Sequence, residues 1–249
     1  MEANRDFMLE TCLMAGKIMM ESGAEIYRVE DTMNRIADAA SQKKGISFAT
    51  PTGIFMSVEG EHHLKLQPIP TRTINLEKVS LVNDLSREFA AHHISLEELN
   101  RSLKKLDRDT RFFPLWLQIL AAGIVSGALM IIFGGSWIDF ISTCIIGAIG
   151  FIIFYYTTEW LKVKFLAEFF ASFIVGILAV FVVHVHLGVN LDKIIIGGVM
   201  PLVPGVPITN AVRDLLAGHL LSGMARGMEA LLTSGAIGIG IAVVFRFFT

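Results

Sequence analysis

Apolar residues change their spacing partway along the chain, and the change divides it in two. Phe7, Leu9, Leu13, Met14, Ile18 and Met20 recur at helical intervals over residues 3–20, and Ser22-Gly23 interrupts the run. Ile26, Val29, Met33 and Ile36 then share one face, predicting a second helix over 25–39 that Gly45 closes. Short apolar stretches at 46–50, 54–58 and 64–66, separated by Pro-Thr-Gly and Glu-Gly-Glu, predict three strands. Helices over 76–92 and 95–106 follow, and Ser95 with Glu98 makes a capping box. Beyond residue 111 the periodicity gives way to long apolar runs at 114–133, 138–156, 165–183, 194–206 and 230–248. A bilayer crossing takes roughly 20 such residues. The predicted fold class is an α-helical polytopic membrane domain of about five spans, the fourth broken by prolines. A cytoplasmic mixed α/β domain precedes it, and the boundary falls between 1–111 and 112–249.

Charge follows the same division. Residues 1–111 hold 15 Lys/Arg and 17 Asp/Glu, whereas 112–249 hold 6 of each. This excludes a wholly soluble protein and equally a membrane protein without a water-exposed part. The net charge of −2 carries no basic footprint for nucleic acid. Cys12 and Cys144 stand apart without metal or redox spacing. Lys104, Lys105, Arg108 and Arg111 precede the first span, and Lys162 and Lys164 lie between the second and third. Cations gather on the cytoplasmic side, so the N-terminal domain is expected in the cytoplasm and the spans in the cell (inner) membrane.

The segment Met200-Pro201-Leu-Val-Pro204-Gly205-Val-Pro207-Ile-Thr209-Asn210-Ala-Val-Arg213-Asp214 is the most informative. Its prolines forbid a regular span, and irregular backbone survives at membrane depth only when buried in protein or lining a wet cavity. A new helix is expected to start at Thr209 or Asn210, offering its N-terminal amides and Arg213 to an anion. The alternative is a kink ending the fourth span, with an ordinary Arg/Asp pair in the following turn. Ionisable groups inside spans cost about 2.5–3.5 kcal/mol at a helix centre. Glu168 and Asp214 are therefore the candidate coupling carboxylates, although Glu168 also suits an interfacial pair with Lys164. His62-His63, His92-His93 and His184-Val-His186 lack metal-ligand spacing, and no metal or cofactor is expected. No catalytic motif appears, and an enzyme is not expected. Gly123-xxx-Gly127 and Gly223-xxx-Gly227 permit close helix approach.

Pro201-Leu-Val-Pro204-Gly205, followed by Asn210, Asp214, Gly218 and Ser222-Gly223, resembles the signature of the threonine/serine exporter family. Gly23-Ala-Glu-Ile-Tyr-Arg28-Val-Glu30, with Met33 downstream, resembles that family's N-terminal motif. Members exist as one long chain of about ten spans or as separate large and small halves. This chain resembles the large half of the split form, of which one relative is implicated in succinate export. The resemblance implies a secondary exporter of small carboxylate metabolites, threonine/serine or a dicarboxylate such as succinate, acting with a smaller membrane subunit and possibly as an oligomer. Pro201, Pro204, Gly205, Thr209, Asn210, Arg213 and Asp214 are then the candidate substrate-binding residues. Arg28 and Glu30 are candidates for gating or domain docking, or else a structural ion pair. The alternatives are a membrane-anchored enzyme and a sensor subunit working through the N-terminal domain.

Overall fold

The structure, a computed structural model, describes residues 2–41, 43–60, 63–108, 113–163 and 165–248, with side chains from residue 5 onward. His62, Arg111 and Lys164 lie outside these described residues, and with them the proposed Lys164–Glu168 pair. The chain forms two compact units. The first is Met1–Arg111 with Gly205–Met228, and the second is Phe112–Pro204 with Glu229–Thr249. Residues 205–228 thus belong to the same unit as residues 1–111.

In that unit, α1 (Glu2–Glu21) and α2 (Ile26–Ser41) pack together above an antiparallel three-stranded meander. Strands β1 (Gly45–Thr50), β2 (Gly53–Val58) and β3 (Lys65–Pro68) pair with Phe48 opposite Phe55 and Phe55 opposite Leu66. The inner face of the sheet contributes Ala49, Ile54, Met56 and Val58 to a core with Leu9, Ile18, Met33 and Ile36. Helices α3 (Leu76–Ala90) and α4 (Leu96–Arg108) complete it through Val79, Val82, Leu99 and Leu103. The capping box forms as its spacing requires. Ser95 N–H donates to Glu98 (2.8 Å), and Glu98 N–H donates to Ser95 Oγ (3.2 Å). One expectation is corrected here: Gly45 does not close α2, which ends at Ser41. Gly45 instead opens β1, its N–H donating to Asp38 at 2.6 Å.

The second unit is built from α5 (Leu115–Ile132), α6 (Phe140–Leu161), α7 (Leu166–His184), α8 (Leu191–Val199) and the later turns of α10 (Leu220–Phe248). Its helices are apolar nearly all round. Ile132, Ile138, Ile141 and Trp160 are exposed while Ile146, Val175, Ala179 and Ile194 fill the interior, the pattern of helices in hydrocarbon. Close approach of α5 and α6 depends on Gly147, where any side chain would collide with Ser126. Buried Asp139, just before α6, accepts from Val189 N–H (2.7 Å) and from the backbone N–H (3.2 Å) and Nδ2 (2.8 Å) of Asn190, fixing the α7–α8 loop.

Four described helices are long and apolar enough to cross a membrane, and a fifth counts if α8 and α9 (Gly205–Leu216) act as one broken span. Two boundaries differ from expectation. Helix α9 begins at Gly205 rather than at Thr209 or Asn210. Pro207 falls in its first turn, where a missing N–H costs nothing because first-turn amides have no helical partner. The last helix begins at Leu220, ten residues before the apolar run.

Candidate functional site

Two glycine turns in the first unit prepare the site. At the end of α1, Gly23 N–H donates to Met20 O (3.2 Å) and Ala24 N–H to Met19 O (3.0 Å). Between α9 and α10, Gly218 N–H donates to Leu215 O (3.1 Å) and His219 N–H to Asp214 O (2.9 Å). This closure needs a left-handed residue at its centre, and Gly23 (φ +86°) and Gly218 (φ +88°) supply it without a Cβ penalty.

Residues 23–30 and 210–226 meet across these turns. Asp214 is fully buried. One of its oxygens accepts from Ile26 N–H at 3.0 Å, an amide that the first turn of α2 leaves without a helical partner. The other lies 3.2 Å from Arg226 Nη1, and Arg226 Nη2 donates to Ala24 O at 2.8 Å. Asn210 Nδ2 donates to Gly23 O at 2.8 Å. Ser222 Oγ donates to Ala49 O at 3.4 Å.

Arg213 Nη1 donates to Glu25 Oε1 at 2.6 Å, and Arg28 Nη1 lies 3.5 Å from Glu25 Oε2. Glu30 accepts from Ala49 N–H at 2.8 Å and lies 3.9 Å from His219 Nε2. Burial pushes the Glu25 carboxyl up. Its own backbone N–H and the guanidinium groups of Arg213 and Arg28 outweigh that and hold it below the usual range. Glu30 is raised by burial, with the Asp214 carboxylate adding to it; the Ala49 N–H and His219 only partly offset this.

Of the candidate residues, Asn210, Arg213 and Asp214 come together with Arg28 and Glu30. Thr209 is exposed and returns its hydroxyl to Gly205 O at 3.0 Å, so it caps nothing. Pro201 sits in the 3₁₀ turn Met200–Leu202, and Pro204 directly precedes α9. Glu168 belongs to the second unit, half-buried in the first turn of α7. Three participants had no role in the sequence reading: Glu25, His219 and Arg226. The available signal for Arg226 was an arginine set inside Gly223-xxx-Gly227, small residues that let another element close on it. Among the described residues no three His, Cys, Asp or Glu side chains are arranged to hold a metal.

Residues 10–248 match a family model described as putative threonine/serine exporter. The chain belongs to this family. It is 22% identical over 247 residues to the probable threonine/serine exporter of Mycobacterium tuberculosis, covering 96% of this chain and 46% of that one. To the threonine/serine exporter of Corynebacterium glutamicum it is 26% identical over 183 residues, covering 68% and 36%. To the probable succinate transporter subunit YjjP of Klebsiella aerogenes it is 23% identical over 242 residues, covering 93% and 90%. The chain therefore spans less than half the length of the first two relatives. No solved structure matches it. As a member of the threonine/serine exporter family with several bilayer-length apolar helices, it is a multi-pass membrane protein. Both stretches in which the family resemblance was read, 23–30 and 201–223, contribute side chains or backbone to the same cluster of ion pairs and hydrogen bonds.

Proposed function

We propose that this chain is one component of a secondary exporter for small carboxylate metabolites, acting in the cell (inner) membrane with a second, smaller membrane subunit. Family membership supports export, and the name given to the Klebsiella aerogenes relative, a transporter subunit, supports a partner. The observation that carries the reading is the broken fourth apolar segment joined to a buried charged cluster. Residues 205–228 belong to the same unit as 1–111, so an even number of crossings must separate them. We read α5, α6 and α7 as three of them and α8 with the turn Met200–Leu202, the first arm of the bent pair that α9 completes, as the fourth.

That crossing is only nine residues plus a three-residue turn, about 18–20 Å against about 30 Å of hydrocarbon. So short a crossing calls for a thinned bilayer or a wet vestibule at its end. Pro201, Pro204 and Gly205 end that crossing, and Thr209, Asn210, Arg213 and Asp214, which follow it in the chain, are the proposed substrate-binding residues. The cations Lys104, Lys105 and Arg108 ahead of α5 support a cytoplasmic N-terminal unit. Asn210 and Asp214 hold α9 and α10 against residues 23–30, Arg28 and Glu30 complete that docking surface, and Arg213 meets substrate. Glu168, an ionisable group inside a span, is the proposed coupling carboxylate. The test is efflux of labelled succinate, threonine and serine from loaded proteoliposomes, with and without the copurified second subunit. Efflux of at least one solute supports the reading, and efflux of none with the partner present refutes it.

A further inference from the structure

Arg28 and Arg213 reach Glu25 from different elements, one from the first turn of α2 and the other from α9. Their guanidinium groups take one carboxylate oxygen each, at 3.5 Å and 2.6 Å. The Glu25 side chain is 9% exposed, while those of Arg28 and Arg213 are 41% and 57% exposed. Solvent therefore meets two guanidinium groups in front of a carboxylate held behind them. Two cations and one anion leave this surface with a charge of +1.

The neighbouring acids are committed elsewhere. Asp214 is held by Ile26 N–H and Arg226, Glu30 by Ala49 N–H and His219, and Asp31 by Arg35. We propose that Arg28 and Arg213 together recognise a substrate carboxylate, which sits between them as the second anion beside Glu25.

This rests on the export reading and names its substrate class: carboxylates with net negative charge, dicarboxylates above all, in preference to zwitterionic amino acids. A guanidinium fork matches a carboxylate through two parallel N–H donors, and part of each fork faces solvent. A dicarboxylate neutralises the surplus charge. A zwitterion brings no net charge, and the neighbouring acids Asp214, Glu30 and Asp31 that could meet its ammonium group are already engaged.

The sign of one substitution separates recognition from a structural ion-pair network. Glu25→Gln raises the local charge to +2 and still offers one acceptor oxygen to the arginines, and titration calorimetry of the full chain in detergent reads the effect. Succinate is expected to bind the unmodified chain about tenfold or more tighter than threonine. Arg28→Ala and Arg213→Ala each weaken succinate by about tenfold, and Glu25→Gln tightens it several-fold. A structural network predicts instead that Glu25→Gln weakens succinate binding or leaves it unchanged, and that result overturns the proposal. Should an alanine variant not fold, Arg28→Lys and Arg213→Lys keep the charge but lose the fork, and unchanged succinate affinity in both equally overturns it. Efflux measured in parallel separates the two readings. Succinate export with affinities indifferent to all these variants sinks the anion site alone, whereas the expected affinities without export of any solute sink only the exporter.

Discussion

The buried pair Asp214–Arg226 provides a quantitative test of how α9 and α10 are held to the N-terminal residues. Asp214→Asn keeps an oxygen for Ile26 N–H but removes the charge facing Arg226, which is itself almost completely buried. Breaking a buried ion pair by removing one member costs about 3–5 kcal/mol. Arg226→Met strands the Asp214 carboxylate in the same way and also removes the donor to Ala24 O. Each single substitution should lower the local opening free energy of the first turn of α2 by about that amount, and amide exchange there should accelerate by two to nearly four orders of magnitude.

The double variant Asp214→Asn/Arg226→Met removes both charges of the pair. Its cost should fall well short of the sum of the singles, with a coupling of the order of 1–3 kcal/mol. Hydrogen–deuterium exchange with mass spectrometry on peptides covering residues 20–30 reads all three variants. Protection of the first turn of α2 unchanged within threefold in both singles, or additive losses in the double, would refute the reasoning.

Asp139→Ala leaves the N–H groups of Val189 and Asn190 without their carboxylate acceptor; at roughly 1–3 kcal/mol per stranded group, the melting temperature in detergent should drop by several degrees, and an unchanged value contradicts the anchoring role. Gly218→Ala forces a Cβ into a left-handed conformation at about 1–2 kcal/mol, and exchange in peptides spanning the α9–α10 turn should rise about tenfold, more than for Gly238→Ala, where a Cβ meets open space. Because the folded state raises the Glu30 carboxyl, Glu30 contributes stability that is present below its ordinary range and lost as pH rises through the raised value. Glu30→Gln should therefore be the more stable form at pH 7 by thermal denaturation, with its advantage shrinking toward pH 4; a constant difference across that range rules this out.

Local signals made most of the N-terminal elements legible. The 3.6-residue spacing in α2, the short apolar stretch of β2 between its turns and the Ser95/Glu98 box each act within a single window, and each placed its element within a few residues. The start of α9 was misplaced because Pro207 reads as a helix breaker, although in a first turn it breaks nothing. The early turns of α10 were invisible for a different reason. Arg226 and Glu229 make that stretch look like a polar connection, and a window of neighbours does not reveal that Asp214 stands opposite Arg226. The cluster itself is a pairing over long separations, 188 residues from Ile26 to Asp214 and 202 from Ala24 to Arg226, and no periodicity encodes it. Only the two family-like motifs marked the stretches that meet, without saying that they meet each other.

That separation has a consequence for biosynthesis. A ribosome adding about 5–20 residues per second needs roughly ten to forty seconds to travel from Ile26 to Asp214. For that interval the newborn N-terminal segment must wait with an unanswered amide at Ile26, a Glu25 met by Arg28 alone and a vacant seat for Arg226, while α5, α6, α7 and α8 are made. The first unit is therefore complete only once residues 205–228 have followed 112–204 out of the ribosome, and its last-made helices close a segment made far earlier.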